Sequence, residues 1–469
     1  MIAKVIPPTR NVVVLGCAYA GGRAADLLAR TLPTGYRVVV IDRQSHFNHL
    51  YLHPRVSIVP GHAEKVFIPF TSVIPKPNEN NPSTLSRHVL VHASVVSITE
   101  DYVEVDRDLL EHERDLDGDE DEVSKLAHEL ETAKLDGQTG ATRRLSWDYL
   151  IYALGCTLPP PLQSPHIVKK DGVAFLSSQC KLISKATKIV VAGGGALGVQ
   201  YATDIADLYN NPEHEEHLAP HAVDGQRPPK KEITIIQSRD RFLPLYKQEL
   251  HDEVCSRMEK LGVRTVLGER VALPPLEEDE PGKMKALRLK NGTEIKYDLL
   301  LRCTGQKPNS EPFRRFLPKA VNEWGFIKVT PTLQVDVSGV PGYEKLSKKL
   351  RRNMFSVGDV ADAGVVKAGH TGWNQAEAAV QNIMCCVETD TANAALPAGE
   401  ERAVPKLVDY VKTPPQIKLT LGLNHSCTEA LPAPEAKETV ITKASDGPVE
   451  GHWKGIWEFR GIPTDDLSI

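Results

Sequence analysis

What this sequence lacks narrows its chemistry. Its 469 residues include eight cysteines, at 17, 156, 180, 255, 303, 385, 386 and 427. None forms a C-x-x-C pair or a Cys/His zinc spacing, so free buried thiols in a reducing compartment and no metal site are expected. Basic residues are not in excess. Lys and Arg total 56 against 61 Asp and Glu, a formal net charge of −5. Nucleic acid, which needs a concentrated basic surface, is excluded as a main partner. No apolar run is long enough to span a bilayer. The opening Met-Ile-Ala-Lys-Val-Ile-Pro-Pro is too short and polar for a signal peptide, and Ile2 excludes N-myristoylation. A cytoplasmic location is expected, with at most peripheral membrane association; an oligomer is compatible with these features.

What is present reads as globular. Apolar residues make up 41% and charged residues 25%, and the length suggests two or three domains. Asn11 to Leu15 reads as a buried parallel strand. It ends at Gly16, a helix-like stretch follows from Arg23 to Leu32, and a second strand runs from Arg37 to Ile41. The same order recurs with Lys188 to Ala192, a run of glycines, a helical segment near Tyr201 to Leu208, and Ile233 to Ile236. The fold class expected is α/β, with two Rossmann-like dinucleotide-binding domains and a small C-terminal α+β domain. The first domain is split, over 1–160 and 326–385. The second covers 161–325, and the C-terminal domain 386–469. Residues 106–144 form an acidic insertion between strand-like pieces at Ser94–Val105 and Leu145–Ala153. Its run Asp-Leu-Asp-Gly-Asp-Glu-Asp-Glu is superficially like a calcium loop, but Gly118 comes too early and the terminal Glu is missing, so it reads as a solvated surface segment.

Three motifs carry chemistry. In Gly16-Cys17-Ala18-Tyr19-Ala20-Gly21, Gly16 permits a tight strand-to-helix turn and Gly21 lets the helix pack on the strand. The helix N-terminus then offers N–H groups and a positive dipole end to a pyrophosphate. Ala18 stands where a middle glycine is usual. Asp42, 21 residues after Gly21, ends the second strand, where a carboxylate accepts ribose hydroxyls. In the second motif, Gly193-Gly194-Gly195-Ala196-Leu197-Gly198, all three glycines are present, but the next strand ends in Gln237-Ser238-Arg239 with no carboxylate. Arg239 and Arg241 follow, where a guanidinium suits a 2′-phosphate; the alternative is that both point to solvent. In the third, Met354 to Val357 delivers Gly358-Asp359, and Asp359 either caps the next helix or faces a flavin's ribityl-pyrophosphate part.

The order of these motifs resembles the two-dinucleotide-domain flavoproteins of the pyridine nucleotide–disulfide reductase superfamily. Ala153-Leu154-Gly155 and Cys303-Thr304-Gly305 are similar to its two Ala-Thr-Gly-type crossing turns, departing at Leu154 and Cys303. Within the superfamily, the stretch from Asp42 to Gly61, Lys65-Val66-Phe67-Ile68, and Cys303 to Ser310 resemble the apoptosis-inducing-factor-like, ferroptosis-suppressor-like branch. The similarity fades beyond about residue 385. It implies FAD contacts at Gly16, Ala18, Gly21, Asp42, Arg55, Val95 and Asp359, with Gly155, Gly305 and Gly358 in the turns. The second motif itself places NADH or NADPH at Gly193, Gly195 and Gly198, with Arg239 suited to a 2′-phosphate, and the resemblance places Gln200 beside the nicotinamide. Lys367 matches a lysine placed near the flavin ring, where a cation stabilises the reduced anion; as a bare sequence position it reads equally as a surface lysine. Many relatives carry Glu where Gln200 stands.

Disulfide reductases of this superfamily carry a cysteine pair soon after the first βαβ unit. Here no cysteine lies between Cys17 and Cys156, and Cys385-Cys386 are adjacent, poor geometry for a dithiol relay. The function expected is therefore an FAD-dependent NAD(P)H oxidoreductase passing electrons to a small acceptor, which the resemblance implies is a quinone. Rival readings are a redox-gated signalling flavoprotein, a type II NADH dehydrogenase, for which no amphipathic C-terminal anchor is evident, and a component of a multi-protein oxygenase or ferredoxin system.

Overall fold

The computed structural model describes residues 9–74, 88–114, 143–221, 227–275 and 280–467. The N-terminal octapeptide and most of the acidic insertion (115–142) lie outside the described residues. The elements that position the site are, in chain order, β1 (Arg10–Leu15), α1 (Tyr19–Thr31), β2 (Tyr36–Asp42), β3 (Val89–His92), β4 (Tyr149–Tyr152), β5 (Lys188–Ala192), α2 (Ala196–Asn210), β6 (Glu232–Ile236), α3 (Gln248–Lys260), β7 (Arg264–Val266), β8 (Leu299–Arg302), β9 (Met354–Ser356), α4 (Gly369–Ala395), β10 (Ile417–Thr420), β11 (Ser426–Ala430) and β12 (Val440–Ala444). They fall into two compact units. The first comprises 1–45, 70–156 and 308–411; the second comprises 46–69, 157–307 and 412–469.

The first unit is built on a five-stranded sheet in the order β9-β4-β1-β2-β3, parallel throughout. Val12 to Leu15 and Val38 to Ile41 have no exposed surface, which is why these strands read as continuous apolar runs and not as alternation. Around this sheet the stretch Ser94–Val105 is not one strand. Thr99 Oγ1 accepts from the N–H groups of Asp101 and Tyr102 at 3.2 and 3.1 Å. That local turn breaks it into the antiparallel pieces Val95–Ile98 and Tyr102–Val105. The stem of the acidic insertion is held from the sheet. Arg37, wholly buried in β2, gives its Nε to Asn11 at 2.8 Å and its Nη2 to the carbonyl of Arg114.

The second unit carries a four-stranded parallel sheet, β7-β6-β5-β8, with α2 packed on it. The antiparallel sheet β10-β11-β12 belongs to this unit. So does the C-terminal helix Trp453–Phe459, whose Trp453 and Trp457 are buried and whose Trp457 Nε1 donates to the Lys65 carbonyl at 2.8 Å. Among the described residues, no helix is long and apolar enough to cross a membrane.

Burial in this second unit also sets an acid limit. Both ring nitrogens of His53 lack a partner among the described residues, and the ring sits 6.0 Å from that of Phe67. Burial, with a lesser push from His49, takes its pKa down to about 3. Burial takes His221 down to about 4. In the unfolded chain these imidazoles titrate near about 6.5. The unfolded state therefore binds protons first as pH falls, so stability present above pH 6.5 is lost below it, at up to about 1.4 kcal/mol per pH unit per histidine. His53→Leu is expected to reduce this acid sensitivity. Relative to wild type, its unfolding free energy should gain about 2 kcal/mol between pH 8 and pH 5 in denaturant titrations. Identical pH profiles would show that His53 is not held neutral.

Candidate dinucleotide sites

The first site grows from the end of β1. The Gly16 N–H donates to the Ile41 carbonyl at 2.7 Å, and Gly16 has φ +93°. A Cβ on Gly16 would sit 2.5 Å from the Ala153 carbonyl oxygen, and one on Gly21 would sit 1.8 Å from that of Gly16. Both positions exclude any side chain. Ala18 is the N-cap of α1; no side chain caps this end, and no acidic residue lies in the first turn. The positive dipole end of a helix suits an anion. Asp42 closes the loop: Oδ2 accepts from the Cys17 N–H at 2.6 Å and Oδ1 from the Gln44 N–H at 2.7 Å. Burial raises the Asp42 carboxyl against the opposing pull of these two donors. Each oxygen keeps acceptor capacity for a ribose hydroxyl.

Other predicted residues belong to the same unit. Gly358, at φ +75°, donates its N–H to Gln375 Oε1 at 2.7 Å. A Cβ on Gly358 or on Gly372 would come within 3.2 Å of the Ala20 methyl. Small residues thus draw α1, the Gly358 turn and α4 together. Asp359 is half-buried; burial raises its carboxyl and Lys367 opposes the shift. Lys367 lies two residues before α4, half-buried and not on an open helix face. Its ammonium donates to the Ala361 carbonyl and lies 4.5 Å from the Phe326 ring centroid. Burial lowers its pKa, with Asp359, Cys156 and Asp362 pulling the other way. Gly155, at φ +62°, accepts from the Asn309 N–H at 3.0 Å. Val95 opens a short strand, Val95–Ile98, and is half-buried.

The second site repeats the first. The Gly193 N–H donates to the Ile236 carbonyl at 2.8 Å, with φ +123°. A Cβ there would sit 2.4 Å from the Cys303 carbonyl oxygen, and one on Gly198 would sit 2.0 Å from that of Gly193. Gly195 caps α2 without a side-chain bond, and a Cβ on it would meet nothing within 4 Å. Gly305 holds the crossing turn at φ +94°. Gln237 stands where Asp42 stands in the first unit, and its Oε1 accepts from the Gly194 N–H at 3.3 Å. The missing carboxylate is legible in the sequence, whereas this tie leaves no sequence signal. Arg239 is exposed, while Arg241 donates to the Tyr246 carbonyl at 2.8 Å. Gln200 is buried on α2, its Nε2 donating to Thr420 Oγ1 at 2.9 Å.

Arg55 is the predicted residue whose surroundings differ most from expectation. It is 3% exposed and lies in the second unit. Its Nε and Nη2 donate to the two Asp204 oxygens at 2.8 and 3.2 Å. Nη2 also reaches the Gly422 carbonyl at 2.9 Å, and Nη1 reaches the Leu423 and Val449 carbonyls at 2.9 and 2.8 Å. All five donors are taken up by the protein itself. No sequence signal marked Asp204 as its partner.

Both loops fit a dinucleotide by this test of shape and donors. The family described as pyridine nucleotide-disulphide oxidoreductase matches residues 10–382. Fe-regulated protein 8 of Mycosarcoma maydis is 34% identical over 468 residues, covering 98% of this chain and 96% of that protein. Ferroptosis suppressor protein 1 of Mus musculus is 26% identical over 381 residues, 80% of each chain. Among solved structures, a NAD-dependent persulfide reductase from A. fulgidus superposes with a TM-score of 0.54 at 16% identity over 91% of this chain, which spans 64% of that protein's length. A water-forming NADH oxidase from Lactobacillus brevis gives 0.53 at 16% identity, over 90% of this chain and 75% of the oxidase. These structures agree with a fold of two dinucleotide-binding sheets, and with the match over 10–382 the conclusion is plain: the chain belongs to the pyridine nucleotide-disulphide oxidoreductase family.

Proposed function

We propose that this flavoprotein oxidises NAD(P)H at the expense of a quinone-like acceptor, with FAD held by the first unit and the nicotinamide nucleotide by the second. The observation that carries this reading is the repeated glycine loop, whose two copies differ in the side chain that follows the second strand. FAD, when bound, supplies the redox chemistry, taking a hydride from NAD(P)H and returning two electrons to the acceptor; the balance is NAD(P)H, a proton and a quinone giving NAD(P)⁺ and a hydroquinone. The protein's residues bind and tune. The α1 N-terminus and the loop from Gly16 to Gly21 take the flavin's diphosphate, and Asp42 its adenosine ribose. Asp359 orders the ribityl-pyrophosphate side, and the half-buried Lys367 ammonium holds negative charge that develops on the flavin. Gly193, Gly195 and Gly198 cradle the nucleotide phosphates, with Gly155 and Gly305 shaping the crossing turns. Val95 offers backbone to the adenine side. Arg55, with its donors taken up internally, supports the second unit's packing.

The thiols support a non-disulfide acceptor. All eight are free. Burial pushes Cys180 up to about 12, Cys386 and Cys427 up to about 11, and Cys303 higher still. Protonated thiols are poor nucleophiles. Turnover with small quinones should therefore exceed turnover with oxidised glutathione or thioredoxin-type disulfides, and alkylation should leave it intact. A steady-state panel that includes ferricyanide and oxygen decides this; preference for a disulfide would remove the reading. Flavin reduction by NAD(P)H with slow turnover on every acceptor would favour the redox-gated signalling alternative.

Asp42→Ala is expected to lower FAD occupancy, because it removes a charge-assisted tie to the glycine loop at Cys17 and another to Gln44 as well as the ribose acceptor. Each such contact is worth roughly 1.5–3 kcal/mol, so affinity should fall at least about tenfold. The ratio of flavin to protein absorbance after gel filtration measures it, and unchanged occupancy would count against Asp42 as a ribose ligand.

Nucleotide choice follows from Gln237 and Arg239. Gln237 carries no charge to repel a 2′-phosphate, and the exposed Arg239 is free to meet one. NADPH is expected to serve at least as well as NADH, and Arg239→Ala to weaken NADPH selectively by about tenfold or more. Comparing kcat/KM for both nucleotides in wild type and mutant checks this. A strong NADH preference untouched by the mutation would exclude a role for Arg239.

A further inference from the structure

Helix α2 is buried all round from Gly198 to Tyr209, yet it carries polar side chains at Gln200, Asp204 and Asp207. The spacing i, i+4, i+7 puts these three on one helix face. That face meets the turn between β10 and β11, and nearly every polar backbone group of the turn is engaged. Arg55, paired with Asp204, donates to the Gly422 and Leu423 carbonyls. Asp207 Oδ2 accepts from the Leu423 N–H at 2.8 Å, and Arg257 Nε donates to the Leu421 carbonyl at 2.8 Å. Gly422 has φ +105°, and a Cβ on it would sit 2.5 Å from Asp207 Oδ2. The turn is thus fixed independently of Gln200. Thr420 is the residue just before it, and its hydroxyl receives the Gln200 Nε2–H. The Gln200 Oε1 accepts nothing among the described residues.

We infer that Thr420 is a positioning residue for the nicotinamide nucleotide: by taking the Gln200 amide N–H from a fixed turn, it presents the Gln200 carbonyl oxygen as an acceptor for a nicotinamide carboxamide. The inference rests on the proposed role of the second glycine loop in holding NAD(P)H. A glutamine, unlike the glutamate of many relatives, has one donor and one acceptor end, so an oriented partner decides which end faces the ligand. Thr420 supplies that orientation from a sheet far along the chain from the nucleotide loop.

The test compares two probes, the oxidised dinucleotide that wild type prefers and the matching ADP-ribose (2′-phosphorylated for NADP⁺), which lacks nicotinamide. Binding is read by titration calorimetry on the FAD-loaded protein. Thr420→Val should weaken the dinucleotide by roughly fivefold, the worth of one neutral hydrogen bond, and leave ADP-ribose within about twofold. Thr420→Ser, which keeps the hydroxyl, should restore wild-type binding. In a Gln200→Ala background Thr420→Val should add nothing, since the two residues act as one. Should the valine variant fail to load FAD or fold, Thr420→Ala is read by the same comparison. Parallel weakening of both probes, or full additivity with Gln200→Ala, would overturn the inference. So would a wild type that binds ADP-ribose as tightly as the dinucleotide, which would leave the second loop's role standing. A wild type that binds neither would remove both readings.

Discussion

Two helix glycines pressed against loop carbonyls are the constraint on which both sites depend. At Gly21 and Gly198 a single added carbon would lie 1.8 and 2.0 Å from the carbonyl oxygens of Gly16 and Gly193. No neighbouring side chain can swing away to relieve that, because the atom in the way is backbone. The absent Cβ lets each helix start directly over the end of its strand, and the starting N–H groups then face outward from the sheet's carboxyl edge. Everything else at the sites is arranged around that close approach: the positive φ of Gly16 and Gly193, the crossing carbonyls of Ala153 and Cys303, and the small residues around Ala20. The middle position of each motif is under no such constraint. Gly195 has φ −76° and open space around its missing Cβ, and Ala18 adopts φ −73° in the equivalent place. The first motif's departure from three glycines therefore leaves the fold unstrained, with Ala18 exposed.

The two copies diverge where charge matters. After β2 and after β6 a side chain folds back to hold the glycine loop, Asp42 on the Cys17 N–H and Gln237 on the Gly194 N–H. The mechanical task is the same, and a neutral amide performs it. What changes is the field beside it. A carboxylate pairs with vicinal hydroxyls and repels a phosphate, while an amide does neither strongly. One backbone solution thus recurs in both units, held by a charged side chain in one and a neutral one in the other.

Much of this was legible in the sequence because its causes are local. Buried parallel strands read as unbroken apolar runs, and the glycines fall at fixed offsets after them. Asp42, Gly358 and Asp359 follow strand ends by the same logic. The illegible parts depend on partners far along the chain. Arg55 resembled a flavin contact, yet its guanidinium is committed to Asp204, 149 residues away, and to carbonyls 367 to 394 residues away. Ser94 to Val105 looked like a single strand because a threonine hydroxyl capping a turn leaves no trace in hydrophobic pattern. Lys367 was undecided between surface and site, since burial by Phe326 and the Ala361 carbonyl is a tertiary fact.

A polar stripe on a fully buried helix also calls for a physical account, since apolar residues would pack α2 more simply. Taking Asp204 and Arg55 out of water is costly, and paired buried charges often do little better than a hydrophobic substitute of equal volume. The stripe's advantage is direction. Apolar contacts tolerate a sliding hairpin, whereas Arg55, Asp207 and Arg257 engage named backbone groups of residues 421–423. A shift of the turn by one residue would bring Leu423 out of register with Asp207 and leave buried donors and acceptors without partners, each at a penalty of roughly 1–3 kcal/mol. Gly422, unable to accept a side chain beside Asp207, pins the same register sterically. The buried ions therefore hold an antiparallel sheet in one position on α2, beside the Gln200–Thr420 contact, and that fixed register is what an apolar seam would not supply.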